Sequence, residues 1–178
     1  MEIQQAQRDV RRVFLGGFVG QLVSGAVWLA SAATATWYSR GAAMAVLVGV
    51  GMFIFPMTQM VLRLMGRPAS LPKGHPMNAL GMQVAFVLPL HFPLVYAATL
   101  YRQNWFYPSL MIAVGAHYLP FIYMYGMWQY GVLAAVLVGA GVGIGMYVPA
   151  MFSVGGWVGA VALLAFALVG RRAARAVE

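Results

Sequence analysis

Apolar residues dominate this chain in long blocks, and polar residues fall almost entirely between the blocks. Read along the sequence, they give six candidate membrane spans: Val13–Tyr38, Ala42–Leu64, Ala79–Tyr101, Phe106–Tyr125, Val132–Val148 and Phe152–Gly170. Each is near the roughly 20 residues that a helix needs to cross the hydrocarbon core. The expected fold is therefore all-α, a bundle of six transmembrane helices. Short loops predict that consecutive helices are antiparallel neighbours.

The pattern divides the chain into three parts: an amphipathic leader over residues 1–12, a transmembrane domain over 13–170 and a basic tail over 171–178. In the leader, Ile3, Ala6 and Val10 recur at helical spacing with Gln and Arg between them. Such a helix is expected to lie on the inner leaflet. Arg8, Arg11 and Arg12 followed by apolar residues, with Ala30-Ser31-Ala32 further on, resemble a signal peptide and its cleavage site. The apolar stretch runs too long for that, so it reads as the first span.

The longest polar stretch is "GRPASLPKGHPMN", Gly66 to Asn78. Pro68, Pro72 and Pro76 predict a stiff, irregular crossing. His75 reads as solvated there. Asn78 and Asn104 are the expected N-caps of the third and fourth spans.

Composition agrees with the pattern. Hydrophobic residues make up 62% and charged residues 8% of the chain, against about 25% charged in a soluble domain. A net charge of +8 could point to nucleic acid, but the charges sit at the ends of apolar blocks. With the N-terminus inside, Arg8, Arg11, Arg12, Arg63, Arg67, Lys73, Arg171, Arg172 and Arg175 are inner, and only Arg40 and Arg102 are outer. This bias predicts both termini in the cytoplasm, next to anionic lipid headgroups, and no nucleic-acid partner. Cysteine is absent, which excludes disulfides and thiolate chemistry.

Much catalytic chemistry is excluded as well. The acidic residues are Glu2, Asp9 and Glu178, all terminal. No carboxylate is left in the spans for a proton relay or a paired-acid site. No nucleophile elbow, Walker motif or dinucleotide fingerprint is present. "GAGVGIG", Gly139 to Gly145, lies mid-span without a Lys-Ser/Thr pair. It predicts close packing on both faces of its helix, with a locally unwound, ligand-lining segment as the alternative, and the pairs Gly16–Gly20 and Gly155–Gly159 offer further close helix contacts. A homo-oligomer through these glycines is open to the chain.

Two histidines remain in the spans. His91, in "PLHFP", and His117, in "HYLP", are similarly far from the turn near Gln103, so antiparallel helices bring them to one depth. Pro89, Pro93 and Pro120 predict kinks in the third and fourth spans and free the carbonyls of Ala85, Pro89 and Ala116. Pro56 does the same in the second span, beside Gln59. Kinked helices with freed carbonyls are where membrane proteins place ligands. The expected ligand-binding residues are His91, His117, Tyr118, Tyr96, Phe121, Tyr125, Gln59 and Gln83. His117, Phe121 and Tyr125 share one helix face at i, i+4 and i+8. Other aromatics around the fourth span, Trp128 and Tyr130 among them, read as interfacial belts.

The stretches "YRQNWFYPS" (Tyr101 to Ser109) and "HYLPFIYMYGM" (His117 to Met127) resemble a group of small bacterial multi-span proteins classed only as a domain of unknown function. The resemblance extends through most of the chain. It implies a self-contained membrane module, and no activity or cofactor.

The leading expectation is a module that binds or transports a small neutral or aromatic solute, in a bacterial inner membrane. No catalytic residue is assigned. A structural or partner-binding protein with a polar packing core is the alternative. A further alternative is a redox protein with haem held by His91 and His117. Zinc lacks a third ligand.

Overall fold

The computed structural model describes residues 2–148 and 151–176, and every regular element among them is helical. In chain order the helices are α1 (Ile3–Phe14), α2 (Phe18–Trp37), α3 (Arg40–Gly51), α4 (Ile54–Leu64), α5 (Met77–Tyr101), α6 (Phe106–Tyr125), α7 (Gln129–Tyr147) and α8 (Val154–Ala176). Short 3-10 turns lie at Leu15–Gly17 and Gln103–Trp105. The end of the expected tail, Val177 and Glu178, is outside the described residues.

Four helical stretches are long and apolar enough to cross a membrane: Ile3–Trp37, which α1 and α2 share, then α5, α7 and most of α8. The α3–α4 pair makes a fifth if it is one span bent by 57°. A count of six also needs α6, which has 20 residues but is too polar for the same test. Its position accounts for its composition. α6 packs against α1, α5, α7 and α8, so Tyr107, Tyr118 and Tyr125 are buried in protein and His117 mostly so, while Tyr123 stays exposed.

α2, α6, α7 and α8 form the core of the bundle. α3 and α4 flank α2 on one side, and α5 flanks α6 on the other. Close approach within the core relies on missing side chains. Trp28 of α2, fully buried, lies directly on Gly159 of α8, and Tyr107 of α6 lies on Gly155. The Tyr107 hydroxyl pairs with Ser31 Oγ at 2.6 Å, and Ser31 donates to the Ala43 carbonyl at 2.8 Å. One hydroxyl therefore joins α2, α3 and α6.

The "GAGVGIG" segment packs on one face rather than both. Gly141 sits against the Pro108 carbonyl and Gly145 against the Trp105 ring, whereas a Cβ at Gly139 or Gly143 would meet nothing within 4 Å.

The second span is broken where Pro56 dictates. Its ring opposes the carbonyl four residues back, at Met52, and the helix stops at Gly51 and restarts at Ile54. Pro56 then stands in the first turn of α4, where a missing N–H costs little. α5 and α6, expected to kink, run through Pro89, Pro93 and Pro120 as single helices.

The leader is docked on the bundle. Ala6, Val10 and Arg11 are buried. Gln7 Nε2 donates to the Tyr123 carbonyl at 2.7 Å, and the Arg11 guanidinium donates to the Tyr125 carbonyl. The last carbonyls of a helix have no partner within it, and α1 supplies donors to those of α6. Between α1 and α2 the chain turns through Leu15, Gly16 and Gly17, at φ of 52°, 63° and 81°. Gly16 rests against Gly170 and Ala174 of α8, so both terminal helices finish at the same end of the bundle.

Three loop expectations are corrected. His75 is buried rather than solvated, at 6% exposure. Its Nδ1 accepts the Met77 N–H at 3.2 Å, so it serves the first turn of α5. Asn78 lies inside that turn and donates to the Pro72 carbonyl at 2.9 Å. Asn104 belongs to the 3-10 turn, and α6 starts after Trp105 with no side-chain cap bond.

Candidate functional site

The site follows from how α5 and α6 meet. α5 is apolar around its whole circumference, and only 11% of its most apolar stretch is buried. It leans on α6 and on the 3-10 turn before it, leaving Phe86, Leu90 and Leu94 exposed. Such a surface suits contact with lipid tails. α6 is the opposite case, enclosed along most of its length.

His91 and His117 come together at this contact. His91 is half-buried, and its Nδ1 lies 2.7 Å from the Val87 carbonyl on its own helix. The His117 ring is turned toward the Val84 carbonyl of α5 and is within electrostatic reach of His91. Its Nδ1 is buried and has no hydrogen-bond partner. Val84 is one helical turn from Val87 and Leu88, so both rings work against the same stretch of α5.

Behind His117 stands a stack of aromatic rings. Phe121 is 5.1 Å from His117, 5.3 Å from Tyr118 and 5.5 Å from Tyr125 by ring centroids. Tyr130, at the start of α7, completes it at 5.2 Å from Phe121 and 5.1 Å from Tyr125. The Tyr118 hydroxyl lies near Ser24 of α2. Tyr130 donates to the Gly16 carbonyl at 2.8 Å. The polar ends of this wall are thus turned away from α5, toward α2 and the turn before it.

The structure brings together five of the eight expected ligand residues: His91, His117, Tyr118, Phe121 and Tyr125. It separates the other three. Tyr96 points outward at 66% exposure, and Gln83 is exposed as well. Gln59 is on α4 and donates to the Ala69 carbonyl at 3.3 Å. Tyr130 and Ser24 were missed. Tyr130 follows Trp128 by two residues and shares the signature of a belt aromatic, and a serine on an apolar helix carries no signal of its own.

These observations define an all-helical protein of membrane type with a polar contact between two of its long helices. The chain belongs to the family of unknown function DUF7010, which matches residues 3–172. The resemblance to a family of unknown function is thereby borne out, with no activity attached. No curated protein and no solved structure matches the chain.

Proposed function

We propose that this protein is a six-span module of a bacterial inner membrane, with both termini cytoplasmic, that binds or carries a small neutral or aromatic solute between α5 and α6. The observation that carries the reading is the unpartnered His117 Nδ1, buried where α5 meets α6. An unmet buried polar atom costs about 1–3 kcal/mol, and such atoms call for an explanation, a bound group among them. A solute that supplies the missing hydrogen bond removes that cost. His91 supplies the second polar contact, and Phe121 and Tyr125 the apolar wall. Among the described residues no carboxylate is near to pair with a cation, which favours a neutral guest.

The loose attachment of α5 supports a moving part. Held along one face, and lacking two ladder N–H groups at Pro89 and Pro93, it can shift to admit a solute. Charge placement supports the orientation, nine basic residues falling in the segments expected inside and two, Arg40 and Arg102, in those expected outside.

A second reading has its own support. Tyr130 with Gly16 and Tyr107 with Ser31 pair inside the protein, and Tyr118 is buried near Ser24. A polar core of this kind also serves to fix helix packing. Uptake of radiolabelled neutral and aromatic metabolites into proteoliposomes separates the two. His91→Phe and His117→Phe are expected to abolish flux while the protein still folds. Flux at the wild-type rate in both folded variants would rule out the solute site.

A further inference from the structure

The end of the bundle opposite the termini holds a cavity of about 340 Å³. It is lined by Arg40, Arg102, Gln103, Asn104, Trp105 and Gly145. Two connections, α2 to α3 and α5 to α6, meet there with the end of α7. The cavity falls within the size range of small-molecule sites, which begins near 300 Å³.

Its chemistry is one-sided. Arg40 and Arg102 are the two basic residues assigned to this end, and both face one cavity with no carboxylate in its lining. Two cations placed together repel unless an anion joins them. The protein holds both guanidinium groups by uncharged contacts. Arg40 Nη1 reaches Gln103 Oε1 at 3.3 Å and Asn104 Oδ1 at 3.4 Å, and its guanidinium stacks over Phe152 at 5.4 Å. Arg102 stacks over Tyr101, also at 5.4 Å. These contacts orient each planar fork and leave its charge unneutralised.

We propose that this cavity is a phosphate site, in which Arg40 and Arg102 grip the oxygens of one phosphate group and Trp105 walls the organic part. Paired guanidinium forks suit phosphate through parallel N–H···O bonds. Gln103 turns its amide oxygen to Arg40, and its NH2 is a further donor for the guest. The phosphate has two sources. Trp37, Tyr38, Tyr101 and Tyr147 are exposed around this end of the helices, as aromatics are at the depth of lipid headgroups. A lipid phosphate lies at that depth, and a soluble phosphate enters from the aqueous side.

The test is thermal unfolding of the full chain in a neutral detergent, with three probes at equal ionic strength: sodium chloride, inorganic phosphate and short-chain phosphatidylglycerol. Phosphate or the lipid should raise the midpoint above that in chloride, and the Arg40→Gln/Arg102→Gln pair should remove the rise. Apparent affinity should fall at least about tenfold in Arg40→Lys, which keeps the charge but loses the fork. A rise with inorganic phosphate identifies a soluble ligand. A rise with the lipid alone identifies the headgroup. Arg102→Gln, whose stacking partner is the exposed Tyr101, keeps the test open if loss of Arg40 disturbs the loop. Equal midpoints in all three probes, or an undiminished rise in folded Arg102→Gln and in the double variant, would overturn the proposal.

Discussion

Tyr130 donates its hydroxyl to the carbonyl of Gly16, 2.8 Å away and 114 residues earlier in the chain. The bond fixes the start of α7 to the turn between α1 and α2. Within that turn the Leu15 carbonyl takes the Phe18 N–H, and the tyrosine serves the next carbonyl, that of Gly16. Tyr130→Phe should lower stability by about 1–3 kcal/mol, the cost of a buried carbonyl left unpaired. Gly17→Ala should cost more. Its φ of 81° disfavours any side chain, and a methyl there would run into the Tyr130 hydroxyl. Unfolding titrations in detergent measure both.

Arg11 makes α1 part of the bundle. Its guanidinium meets the Tyr125 carbonyl at the end of α6. Arg11→Met should cost about 1.5–3 kcal/mol, as expected for a hydrogen bond to a charged group. α1 should then come away from α6. A single cysteine introduced at the buried Ala6 reports this cleanly, because the chain has no native cysteine. Thiol labelling at that position should be slow in the parent and fast with Arg11→Met.

The glycines of α7 should behave oppositely on its two faces. Gly141→Ala places a methyl 2.7 Å from the Pro108 carbonyl, which is backbone and cannot step aside. Overpacking of this kind costs about 1–3 kcal/mol. Gly139→Ala and Gly143→Ala point into open space and should stabilise the helix by up to about 1 kcal/mol each. Parallel melts of the three variants give the comparison.

His75 joins the loop before α5 to α1. Its Nδ1 takes the Met77 N–H, and its Nε2 lies 3.6 Å from Asp9. His75→Ala should lose about 1 kcal/mol, as for a missing helix cap. Limited proteolysis should cut between Gly66 and His75 sooner in the variant.

How far the sequence reached depended on the range of the contact. The bounds of α6 are those predicted, because its start follows the Gln103–Trp105 turn and its end is set by Gly126 in the left-handed conformation, both local signals. The break in the second span could have been read from Pro56, whose effect is local. The docking of α1 could not, because Gln7 and Tyr123 are 116 residues apart. His75 was misread for the same reason, its partners lying partly on α1. At the site, the shared depth of His91 and His117 followed from the turn between their helices. Rotation did not follow: α5 is apolar all round, and nothing in its pattern shows that Tyr96 and Gln83 face outward while His91 faces α6.

The histidine pair also bears on haem. A solute site predicts a colourless protein. A Soret band in the purified chain that is lost in His91→Phe would replace the solute reading with axial ligation.

Small molecules that stay with the protein through purification test the central claim most directly, because the solute need not be known beforehand. Mass spectrometry should find a neutral or aromatic species enriched on the parent chain in detergent and lost from folded His117→Phe. Identical small-molecule profiles for the two proteins would contradict the solute site and leave His117 as a packing residue.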